Sequence, residues 1–156
     1  MSEASSGSEL PDGLSPAMAE IVDDFNAVTE RERLQLLLEF SEGLPPLPER
    51  YADHPELLEP VPECQSPVFL VTEVDDDPAS TVHLHFSAPR EAPTTRGFAG
   101  ILREGLDGLP AAQVLATPDD VSSRLGLERA VSPLRLRGML GMLGRIKRQV
   151  AEKTGA

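Results

Sequence analysis

A chain of 156 residues, 40% of them hydrophobic, is sized for one domain with its own core, and a single cysteine rules out an internal disulfide. The 26 acidic and 14 basic residues leave a net charge of −12, aromatics are only 4%, and tryptophan is absent, which argues against binding phosphate backbones or stacking on bases. No segment reaches membrane-spanning length and no basic cluster precedes an apolar run near Met1, so neither a membrane nor a secretory route is expected; the cytoplasm, with a reduced thiol, is.

In chain order, residues 1–15 are rich in Ser, Gly and acids and read as a disordered acidic tail, with one domain following over 16–152. Ser15 caps a first helix with Pro16 at its first position and Met18, Ile21, Val22 and Phe25 on one face. Thr29 and Glu32 form a capping-box signature for a second helix, which carries Leu34, Leu37 and Leu38 to Gly43 and is expected to pack on the first. Prolines at 45, 46, 48, 55, 60 and 62 predict an extended, non-helical segment leading to Cys64. Val68–Val71 and the alternating Val82, Leu84 and Phe86 flank the turn Asp75-Asp76-Asp77-Pro78, the pattern of an antiparallel hairpin. Thr94 or Thr95 is placed to cap a helix bearing Phe98, Ile101, Leu102 and Leu106, and Thr117-Pro118-Asp119-Asp120 opens a short one with Val121 and Leu125 inward. Ser132-Pro133 starts the last helix, with Leu136, Met139, Leu140, Leu143 and Val150 as its stripe. A small antiparallel sheet between an N-terminal helix pair and C-terminal helices makes an α+β fold.

The charge is divided: residues 1–77 hold 19 of the acids and 3 of the bases, while the last helix ends in Arg145, Lys147 and Arg148, read as solvated complements to the helix dipole. Gly138, Gly141 and Gly144 recur every third residue there, which points to a close neighbour, most simply another helix of the same domain.

Cys64, in Glu63-Cys64-Gln65-Ser66-Pro67-Val68, sits where a loop meets a strand. A working thiol needs positive surroundings, and Arg96 and Arg135 near helix starts are the candidates. A thiol hydrolase would want a nearby histidine; His54, His83 and His85 come with no glycine-rich oxyanion loop. His83 and His85 with Cys64 could in principle hold zinc, although structural zinc sites usually contain several cysteines, so solvated histidines on an outward strand face are expected.

Leu44-Pro45-Pro46-Leu47-Pro48, Cys64-Gln65-Ser66-Pro67-Val68 and Ser132-Pro133-Leu134-Arg135-Leu136-Arg137-Gly138, with Arg96-Gly97-Phe98, resemble the SufE family of sulfur acceptor proteins over residues 17–151. The resemblance implies a SufE/IscU-like fold without a bound cofactor. It also implies a non-enzymatic accessory role: Cys64 takes a persulfide sulfur from a pyridoxal-phosphate-dependent cysteine desulfurase of the SufS type, stimulates it, and passes the sulfur to an iron–sulfur scaffold complex. By the same resemblance Gln65 and Ser66 shape a movable loop, and Arg96 and Arg135 orient it or contact the desulfurase. Glu63 and Phe69 depart from the glycine and tryptophan of some relatives, and the first of these changes implies a stiffer loop and a less acidic thiol. The alternatives are an interaction module with an inert cysteine, and a carrier served by a rhodanese-like donor.

Overall fold

The computed structural model describes residues 13–155, so most of the expected tail, residues 1–12, lies outside the described residues. Helix α1 spans Pro16–Asn26, and its cap Ser15 both accepts from the Met18 amide at 3.0 Å and donates to the Gly105 carbonyl at 2.9 Å. Helix α2, Glu30–Gly43, starts at a complete capping box in which Thr29 and Glu32 bond each other's amides. The two helices meet through a stacked pair, Phe25 and Phe40, with ring centres 5.8 Å apart.

Their main partner is not each other but α4, Pro93–Leu106. A Cβ on Gly97 would lie 2.6 Å from the Leu37 carbonyl oxygen, and one on Gly100 would overlap the Phe40 carbonyl. This approach decides which face of α2 is buried. Leu37 is covered, whereas Leu34 and Leu38, expected alongside it, are exposed.

The proline segment is more structured than predicted. It contains a helical turn α3 at Glu49–Ala52, 3₁₀ turns at Pro55–Leu57 and Pro62–Cys64, and a short strand β1 at Glu59–Pro60. Pro48 precedes α3, and Pro55 and Pro62 open the two tight turns, positions where a missing amide costs nothing. Strand β2, Phe69–Val74, pairs antiparallel with β1 on one side and with β3, Val82–Ser87, on the other. Val82, Leu84 and Phe86 are buried, as their alternation predicts. Glu73 on β2 receives Arg50, Tyr51 and His85 and so ties the segment down; the Arg50 guanidinium foremost, against the effect of burial, holds its carboxyl well below the usual range.

Helix α4 begins at Pro93, with Ala92 rather than a threonine before it. Short helices α5, Ala111–Leu115, and α6, Val121–Arg124, lead to α7, Pro133–Thr154, capped by Ser132 as expected. The buried stripe of α7 is Met139, Met142, Leu143, Ile146 and Val150; Leu140 is exposed. Gln149 accepts from the Thr72 amide at 2.8 Å and Lys153 donates to the Thr72 carbonyl, so α7 covers the free edge of β2. No helix among the described residues is long and apolar enough to cross a membrane.

The α2–α4 contact gives a direct test. Gly100→Ala is expected to destabilise the fold by about 2 kcal/mol, because backbone cannot yield as a side chain can. Equilibrium urea unfolding measures it, and a loss of only a few tenths would mean that the helices separate freely.

Candidate functional site

Cys64 closes the 3₁₀ turn Pro62–Cys64 inside a loop joining β1 to β2. The Val61 amide bonds the Val68 carbonyl at 2.9 Å, and both residues are 1% exposed, so the base of the loop belongs to the core. Within the loop, the Cys64 amide bonds the Val61 carbonyl at 3.1 Å and the Gln65 amide bonds the Pro62 carbonyl at 3.0 Å. Gln65 then adopts left-handed backbone, φ 57°, which redirects the chain into Ser66 and β2.

The turn lies against α7. Cys64 Sγ donates to the Gly138 carbonyl at 3.7 Å, and a Cβ on Gly138 would stand 3.0 Å from that sulfur. A Cβ on Gly141 would stand 3.0 Å from the Glu63 carboxylate carbon. The close neighbour predicted by the glycine period is therefore the cysteine turn, not another helix, and Gly144 faces nothing within 4 Å.

Arg145 fastens this contact. Its Nη1 meets Glu63 Oε1 at 2.9 Å and donates to the Gly141 carbonyl at 3.1 Å. Its Nε lies 3.3 Å from Glu59 Oε2 but is misaligned for a hydrogen bond. Arg148 and Gln149 hold the same Glu59, and Lys147 pairs with Asp119 at 2.9 Å. The basic end of α7 is thus engaged with carboxylates rather than solvated, correcting the sequence expectation.

Burial, then the Glu63 carboxylate, push the Cys64 thiol up to about 11, with Arg145 opposing. At neutral pH the thiolate fraction is on the order of one in ten thousand. The resting thiol is half-buried and protonated.

Gln65, Ser66 and Arg135 line one cleft with Cys64. Arg96 does not. Its guanidinium donates to the carbonyls of Ser41 at 2.9 Å, Leu44 at 3.1 Å and Ala88, tying the end of α2 to the start of α4. His83 bonds Asp75 at 2.8 Å and His85 bonds Glu73 at 2.9 Å, and no group of three or more metal-binding side chains occurs among the described residues. The residue that sequence reasoning passed over is Arg145. Its signal was the glycine pair: position 145 falls one turn beyond Gly141, on the face where the loop must dock.

Residues 19–150 match the family described as SufE, Fe–S metabolism associated domain. The chain belongs to the SufE family. An uncharacterized SufE-like protein of Mycobacterium tuberculosis is 55% identical over 142 residues, 91% of this chain and 96% of that one. SufE-like protein 1, chloroplastic/mitochondrial, of Arabidopsis thaliana is 29% identical over 86% of this chain and 34% of its own length. The solution structure of a hypothetical protein from Thermus thermophilus superposes with a TM-score of 0.78 at 37% identity, covering 90% of this chain and 98% of that one. Membership in the SufE family ties the chain to iron–sulfur metabolism as an accessory domain.

Two outcomes follow from the geometry. Arg96→Met should lower stability by about 2 kcal/mol in thermal unfolding, because partly buried carbonyls lose a charged donor, and should leave Cys64 alkylation unchanged. Cys64 alkylation in the wild type should keep accelerating as pH rises towards about 11. Glu63→Gln removes a charge that opposes the thiolate, so its profile should move to lower pH; an unmoved profile would mean that Glu63 does not control the thiol.

Proposed function

We propose that Cys64 is a sulfur acceptor that takes a persulfide sulfur from a pyridoxal-phosphate-dependent cysteine desulfurase, stimulates that enzyme, and passes the sulfur to an iron–sulfur scaffold. The observation that supports this reading most is the placement of the only cysteine on a polar-fastened turn at the mouth of a cleft. The acceptor domain spans residues 16–152 and works in the cytoplasm. Pyridoxal phosphate belongs to the donor, not to this chain.

The chemistry is thiol exchange. The Cys64 thiolate attacks the outer sulfur of a donor persulfide, R–S–SH, forming a new sulfur–sulfur bond. The donor's bond breaks with its electron pair leaving on R–S⁻, so no net oxidation occurs and no oxidant is consumed. The step needs an exposed thiolate, and the resting arrangement opposes both exposure and ionisation. Docking therefore has to lift the turn from Gly138 and part Glu63 from Arg145. In this reading Gln65 supplies the bend, Ser66 lies in the loop, and Arg135 on the exposed first turn of α7 meets the partner. Arg96 supports the site only through the scaffold.

The sheltered, weakly acidic thiol also fits an inert cysteine in an interaction module. One experiment separates the two readings. After incubation with the desulfurase and cysteine, wild-type protein should gain the mass of one sulfur on Cys64, removable by dithiothreitol. Cys64→Ser should fold normally, gain nothing and fail to stimulate the desulfurase. Full stimulation by the serine variant defeats the proposal, and loading only by a rhodanese-like sulfurtransferase would reassign the donor.

A further inference from the structure

The cleft beside Cys64 has a volume of about 270 Å³, room for atoms beyond Sγ. Two helices of different chain segments begin at its wall. Helix α7 is capped there by Ser132, whose hydroxyl accepts from the Arg135 amide at 3.3 Å. Helix α4 is not capped: Ala92 offers no side-chain acceptor and Pro93 has no amide, which leaves the Thr94 and Thr95 amides of the first turn without a side-chain partner.

Thr95 supplies the independent sign of a ligand. It lines the cleft, it is only 4% exposed, and its hydroxyl has no hydrogen-bond partner among the described residues. The hydroxyl oxygen is not fully enclosed, so on this cleft-lining residue it opens into the cleft and is free to donate to an acceptor seated there. Arg135, on the same wall, is exposed and makes no ion pair among the described residues.

We propose that this cleft seats the outer sulfur of a Cys64 persulfide as an anion, with the Thr95 hydroxyl donating to it. The seat rests on the reading of Cys64 as a persulfide carrier. Transfer leaves Cys64–S–SH; loss of its proton to water gives Cys64–S–S⁻, whose negative sulfur lies one bond beyond Sγ and accepts from the hydroxyl. No electron changes hands in that step. The charged groups facing the sulfur are Glu63 on its own turn, Glu91 before α4, Arg135 on α7, and Arg145 behind Glu63. Glu63 is paired with Arg145 yet still opposes a negative sulfur, as it opposes the Cys64 thiolate, and Glu91 stands exposed in water, where its field is weak. The hydroxyl, the uncapped α4 terminus and Arg135 are the groups on the cleft wall that favour the anion against Glu63.

The test loads full-length wild type, Thr95→Val and Thr95→Ser with inorganic polysulfide and, separately, with the desulfurase and cysteine. Intact mass counts the added sulfur, and the rate of persulfide alkylation is followed against pH. Losing a hydrogen bond to a charged group should raise the alkylation midpoint of Thr95→Val by about one pH unit, a tenfold change, while Thr95→Ser keeps the wild-type midpoint. Equal midpoints in all three loaded proteins overturn the seat and leave the carrier reading standing. Wild type that loads from polysulfide with the expected midpoints, but not from the desulfurase, overturns the donor assignment and leaves the seat. If Thr95→Val does not fold, Arg135→Gln must raise the midpoint in the same assay, and no movement there overturns the seat.

Discussion

The contact on which the site depends is backbone-close packing of the Cys64 turn on α7, permitted by Gly138 and Gly141. Each glycine costs a helix interior up to about 1 kcal/mol against alanine. α7 tolerates this because its opposite face is locked into the core by Met139, Met142, Leu143, Ile146 and Val150. One approach thereby accounts for the half-burial of the thiol, its bond to Gly138 and its weak acidity. It also gives Glu63 a structural setting. A carboxylate where some relatives carry glycine would be awkward on a bare helix, yet here it lies over Gly141 and under the Arg145 guanidinium.

The division of charge along the chain has the same origin. The acidic stretch before β2 and the basic end of α7 are joined in space through Glu59 and Glu63 with Arg145 and Arg148. Gln149 extends this network to β2 by accepting from Thr72 and donating to Glu59 at 2.8 Å. A single helix therefore serves the sheet edge, the loop and the core at once, and a change at its polar face is felt at the thiol.

What was legible in the sequence were the features specified by neighbours in the chain. Ser15, Thr29 and Ser132 cap helices as their spacing predicts, and the hairpin follows from strict alternation through Val82, Leu84 and Phe86. The turns of the proline segment escaped because proline opens a helical turn as readily as it breaks a helix interior, and only position within the turn tells these apart. The burial of Leu37 rather than Leu34 or Leu38 is set by glycines far along the chain at 97 and 100. The two arginines show the same limit most sharply. Arg96 finds its acceptors on Ser41, Leu44 and Ala88, and Arg145 finds Glu63, none of them within reach of local pattern. The family motifs located the cysteine loop; the cleft beside it and the cation that fastens it are tertiary facts.

The strength of the fastenings is as informative as their location. Val61 and Val68, at the base of the loop, are buried in the core and tied by a backbone hydrogen bond, so moving them would expose apolar surface. The tip is held differently. The Arg145 and Glu63 side chains are 21% and 40% exposed, and pairs of that kind contribute only about 0–1 kcal/mol. The thiol's own bond to Gly138 is that of a weak donor. A loop with a firm base and a loosely tethered tip can present its end group without disturbing the domain that carries it. The same tether keeps the sulfur protonated and half-covered in the resting protein.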